Sequence, residues 1–268
     1  MKKMLTKTLL ASAVAVVCAF SANVASAQTT VFPDFTVSPV AGTSFTADKM
    51  TGNYVEIANF NPNGTFSANL VWTAAAFVSN DGTNQLNSTT TGLNSTYGVY
   101  ALYSANGTFS TNAATGRTDF TFAPGTGALQ VFRDVGNNAT FTPNPTGSDF
   151  TATGTAGDIV LANGQPLSGN GFLDPRNQQC TAGIFCGAFG STTTFGLTAA
   201  GSSFFVAPSP FYQLSFQSGQ LNNFNPSGRQ VVNGSLDVTF NNVPEPASLA
   251  LLGLGLVGLG ALRRRKTA

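Results

Sequence analysis

Between residues 28 and 242, apolar and polar side chains alternate in short runs broken by turn dipeptides, and this narrows the fold more than any other feature. In Tyr212-Gln213-Leu214-Ser215-Phe216 the apolar set falls on one face, with Gln213 and Ser215 on the other. Leu236, Val238 and Phe240 share a face in the same way, and Phe120 and Phe122 bracket Thr121. Period two marks a strand with one buried side. Between such runs stand Asn63-Gly64, Asp81-Gly82, Asn106-Gly107, Asn163-Gly164 and Asn233-Gly234. These dipeptides tolerate positive φ and suit tight hairpins. No segment carries a capped helical stripe, although Ala74 to Phe77 has the composition of one helical turn. The expectation is an all-β fold: a single β-sandwich or jelly-roll-like domain. All but one of the 23 phenylalanines lie beyond Phe20, enough to fill a sheet interior. Burying each ring contributes roughly 1.5–3 kcal/mol.

The two ends have other chemistry. Lys2, Lys3 and Lys7 precede an apolar run, and Ala25-Ser26-Ala27 closes it. This is the pattern of a secretory signal peptide over residues 1–27, cut by signal peptidase between Ala27 and Gln28. Val17 before Cys18 is not the small residue that lipidation of the cysteine needs.

At the other end, residues 243–268 read Val243-Pro244-Glu245-Pro246, an uncharged run over residues 247–262, then Arg263-Arg264-Arg265-Lys266. A helix of that run would span ~24 Å, short of a ~30 Å hydrocarbon core. The basic cluster, residues 263–266, would hold its far end on the cytoplasmic side. Pro244 and Pro246 keep the junction extended.

Charge and cysteine content set limits on function. Residues 28–242 hold five basic side chains against ten acidic ones, a poor match to a phosphate backbone, so nucleic acid is not an expected partner. The chain has no histidine, which removes Ser-His-Asp and Cys-His catalysis and His-based zinc sites. Acid–base chemistry would fall to the carboxylates Asp34, Asp48, Glu56, Asp81, Asp119, Asp134, Asp149, Asp158, Asp174 and Asp237. Their spacing selects no pair. The expectation is therefore a protein that is not an enzyme, with no catalytic residue, no metal and no cofactor. Asn80-Asp81-Gly82-Thr83-Asn84 has oxygen ligands but lacks the distant Glu of a calcium loop, and reads as a hairpin tip. Trp72, Tyr97, Tyr100, Tyr103 and Tyr212 have the flat rings of a sugar platform, but strand aromatics are more often core. Cys180 and Cys186, five residues apart in an exported chain, are expected to form a disulfide.

The order Pro-Glu-Pro, apolar run, Arg cluster resembles the PEP-CTERM tail of exported proteins in exopolysaccharide-producing bacteria. The resemblance implies that exosortase, a membrane protease, reads Pro244, Glu245 and Pro246 together with Arg263, Arg264 and Arg265. It also implies transient inner-membrane attachment before delivery to the cell surface or extracellular matrix. Phe45 to Tyr54, the Cys180/Cys186 segment, Phe205-Val206-Ala207-Pro208, Phe211 to Phe224 and Asn233 to Asp237 are similar to the flocculation-associated group of PEP-CTERM proteins, PepA. That resemblance implies a role in cell aggregation with extracellular polysaccharide as partner. The alternative is a carbohydrate-active enzyme or carbohydrate-binding module of the matrix.

Overall fold

The structure, a computed structural model, describes residues 32–40 and 42–242. The signal-cleavage residues Ala25, Ala27 and Gln28 lie outside the described residues, as do Pro244, Glu245, Pro246 and Arg263 to Arg265.

Eight antiparallel staves form the body. They are β3 (Lys49–Phe60), β4 (Thr65–Ser79), β6 (Gly98–Thr111), β7 (Thr118–Asp134), β10 with β11 (Ile159–Gly164, Pro166–Leu173), β12 with β13 (Gly187–Thr194, Gly196–Leu197), β15 (Leu214–Leu221) and β16 (Gly228–Asn241). Each pairs with the next in sequence, and β16 returns to β3 from Gly228↔Phe60 to Val238↔Met50. The sheet therefore closes on itself as an up-and-down barrel.

The all-β expectation holds, but the sandwich or jelly roll does not. Alternation shows that a strand has one buried face. It does not show whether that face meets a second sheet or the far wall of its own. Residues 74–77 lie within β4, not in a helical turn. Ala74 and Phe77 face inward there, with an irregularity of register opposite Thr51 and Gly52.

The dipeptides divide into two groups. Asn63-Gly64 closes the β3–β4 turn, and Asp81-Gly82 joins β4 to β5 (Asn84–Gln85), with Asp81 at φ 54°. Asn106-Gly107 and Asn233-Gly234 sit inside β6 and β16, and Asn163-Gly164 ends β10. Their glycines make room rather than turns. A Cβ on Gly107 would strike the Phe66 ring, and one on Gly234 the Tyr54 ring. Gly52 under Trp72 and Gly219 under Phe189 follow the same rule. Large rings lie flat across the barrel because glycines face them.

Phenylalanine fills both ends. At one rim, β1 (Phe35–Val40), β2 (Thr43–Ala47) and β14 (Phe205–Ala207) form a small sheet, joined by α2 (Ala199–Phe204). Phe35 meets Phe240 edge-on at 5.1 Å, and Phe195 lies 4.7 Å from Phe240. At the opposite rim Phe60 meets Phe109 at 5.1 Å and Phe66 meets Phe122 at 5.4 Å. A short helix, α1 (Ser88–Thr91), follows β5, with Asn87 as its N-cap.

The middle of the barrel is more polar. Ser191 Oγ donates to Gln217 Oε1 at 2.8 Å, and Gln217 Nε2 donates to Ser215 Oγ at 2.8 Å. Thr193 and Ser215 share a hydrogen bond of 2.6 Å. Such a satisfied buried network fixes the β12–β15 register. Beside it lies a mostly apolar cavity of about 40 Å³, bordered by Leu70, Trp72, Tyr103, Phe189, Ser191 and Leu236. The Tyr103 hydroxyl has no partner among the described residues. A second space of about 30 Å³ is bordered by Glu56 and the rings of Phe60, Phe66 and Phe120.

Candidate functional site

Many outward positions are polar, among them Thr51 and Asn53 on β3, Ser67, Asn69 and Thr73 on β4, and Asn233, Ser235 and Asp237 on β16, while Val71 on β4, Leu102 on β6 and Val231 on β16 are apolar outward positions. No described helix is long and apolar enough to cross a membrane, and the expected helix over residues 247–262 lies outside the described residues.

One stretch of the outer wall is covered. The hairpin of β8 (Thr140–Pro143) and β9 (Phe150–Thr153) folds over β4, β6 and β7. Asn144 Oδ1 accepts from the amides of Thr146 and Gly147, making the tight turn at its tip. Arg229 on β16 latches that tip. Its Nε donates to Gly147 O at 2.8 Å and its Nη2 to Asn144 O. Asn59 Nδ2 donates to Ser148 Oγ at 3.2 Å. At the base, Asp134 Oδ2 accepts from the Ala139 amide at 2.8 Å. Phe141 packs on Tyr100 at 4.9 Å, and Tyr100 stacks on Phe132 at 4.9 Å.

Beneath the hairpin runs a groove of about 280 Å³. Val71 and Leu102 form its floor, and Phe141 and Phe150 its roof. Asn69, Ser104, Gln130 and Asp149 place polar groups along it. Gln130 Nε2 donates to Asn163 Oδ1 at 3.2 Å, which leaves the Gln130 carbonyl oxygen open.

The other candidate residues are scattered. Asp48 accepts from the Gly82 amide at 3.0 Å, and burial raises its carboxyl above the ordinary value against that bond. Asp158 accepts from the Tyr100 hydroxyl at 2.9 Å, and Asp237 pairs with Lys49 at 2.9 Å. Arg117 pairs with Asp119, and Asp174 accepts from the Arg176 amide. Glu56 stands alone inside the barrel, where burial pushes its carboxyl up to about 7. Among the described residues no cluster of three metal-type ligands forms. Asn80 to Asn84 is the β4–β5 turn, held by Asn80 Nδ2 donating to Thr83 Oγ1. Trp72, Tyr97 and Tyr100 are buried, and Tyr212 donates its hydroxyl to Asp34 O. They form no exposed platform.

Cys180 and Cys186 are disulfide-bonded, with Cα atoms 4.2 Å apart. Their loop holds Ile184 and Phe185 in the open, each 50% exposed.

The last stave, β16, ends at Asn241, on the rim closed by the small sheet. From the next residue onward, residues 242–266 match the PEP-CTERM protein-sorting motif. The chain carries a PEP-CTERM tail. The tail marks it for export and for exosortase-dependent sorting toward the cell surface. No curated protein and no solved structure matches the chain. Phe141 and Phe150 were missed in the sequence. Their signal was the Asn144-Pro145-Thr146-Gly147 turn, flanked on both sides by Phe-Thr pairs (Phe141-Thr142 and Phe150-Thr151).

Proposed function

We propose that this PEP-CTERM protein is a non-catalytic component of the cell surface and matrix that retains exopolysaccharide on cells and so supports flocculation. The observation that carries the reading is the sorting motif beginning where the last barrel stave ends. A cut near Pro244 to Pro246 would free a domain whose sheet is already closed. Its outer wall of Thr, Ser and Asn suits a hydrated polymer, and many weak contacts along one chain add through multivalency. The resemblance of Phe45 to Tyr54 and of Phe211 to Phe224 to flocculation-associated proteins favours the same role.

Deleting the gene should leave polysaccharide synthesis intact while the cells disperse. Normal flocs in the deletion strain would sink this reading. Processing is tested separately by mass spectrometry of the surface protein, which should end before Arg263.

A further inference from the structure

We infer that the groove between the β8–β9 hairpin and the outer wall is a binding subsite for a neutral pyranose chain. The inference rests on the proposed role in polysaccharide retention and names the place where the polymer is held.

Three features argue for it. The first is chemical. A pyranose has faces of C–H groups edged by hydroxyls, so its site needs flat apolar surface beside hydrogen-bonding groups. Phe150 and Phe141 supply the surface. Asn69, the Gln130 carbonyl and Asp149 supply the hydrogen bonds along the same groove. Neither Asn69 nor Asp149 uses its side chain in a hydrogen bond among the described residues, so both are open to a ligand.

The second is rigidity. The roof is tied at its tip by Arg229 and Asn59 and at its base by Asp134. A site held in place loses little conformational freedom on binding.

The third is charge. Asp149 is the one carboxylate among the groove's lining residues, and no basic side chain lines it. The Arg229 guanidinium keeps its charge but is held at the hairpin tip by the carbonyls of Asn144 and Gly147 and does not line the groove. A uronate-rich polymer would meet a like charge and find no partner, whereas a neutral chain fits.

The test uses the full-length protein in mild detergent, titrated calorimetrically with cellohexaose, laminarihexaose and oligo-alginate. Binding of a neutral hexaose, weakened tenfold or more by Phe150→Ala and by Asn69→Ala with unchanged unfolding midpoints, is the expected result. No binding of either neutral hexaose at millimolar concentration would overturn the assignment. So would tighter binding of oligo-alginate, or unchanged affinity in both variants. In cells, Phe150→Ala should fail to restore flocculation to the deletion strain. Full restoration would defeat the groove while leaving the retention role standing. A deletion strain that flocs normally would defeat the role, with the calorimetry still deciding the groove.

Discussion

Glu56 is the residue most at odds with its surroundings. Its neighbours across the cavity are phenylalanine rings, and desolvation alone lifts its carboxyl from 4.5 to about 7. The folded state thus holds this proton more tightly than the unfolded chain does. The stability that comes from this preference is fully present below pH 4.5, declines as pH rises and is gone above 7. A difference of that size corresponds to about 3 kcal/mol. Glu56→Gln removes the charge and should unfold at higher urea than the parent at pH 8, by up to about 3 kcal/mol. The gap should shrink to near zero at pH 4. An equal gap at both pH values would show that ionisation of Glu56 is not its origin. Nothing in the sequence around Glu56 marked it as interior. Its strand parity does so only once Tyr54 and Ala58 are known to face the same way.

At the scale of elements, the disulfide loop and the glycine–aromatic pairs are the features open to test. The Cys180–Cys186 bridge closes a small loop, so it takes little freedom from the unfolded chain, about 2 kcal/mol. Cys180→Ser with Cys186→Ser should lower urea stability by that amount and leave the barrel folded by circular dichroism. Gly219→Val forces a side chain into the Phe189 ring. Overpacking of that kind should cost about 1–3 kcal/mol, read from the thermal unfolding midpoint. The bridge was legible in the sequence because cysteine spacing is local. The strands were legible because alternation is local too, but in β15 the inward face was misassigned: Ser215 and Gln217 point into the barrel, where Ser191 and Thr193 satisfy them, and Phe216 is on the opposite face. The role of Asn106-Gly107 and Asn233-Gly234 was not. A glycine chosen for space beneath a ring on the next strand reads the same as one chosen for a turn. The groove was hidden for a similar reason: Phe150 and Asn69 meet only because the hairpin crosses the wall.

For the molecule as a whole, closure decides most. A sandwich would have left strand edges open for pairing between copies, which is how a self-associating scaffold would grow. The β16–β3 pairing removes those edges from the main sheet. Closure also ties distant parts of the chain into one cooperative unit. Trp72, the only tryptophan, is buried at the barrel centre and donates to Leu236 O at 3.0 Å. Its fluorescence and the far-ultraviolet dichroism should change together in urea. Separated transitions would mean that the small sheet and the barrel unfold independently.

The staves number eight, and an even count has a directional result. A chain that enters β3 at Lys49 leaves β16 at Asn241 on the same rim. Whatever grips the polypeptide beyond Asn242 therefore holds it from that side. The cystine loop with Ile184 and Phe185 projects from the other, as the head of a pin projects from the cushion.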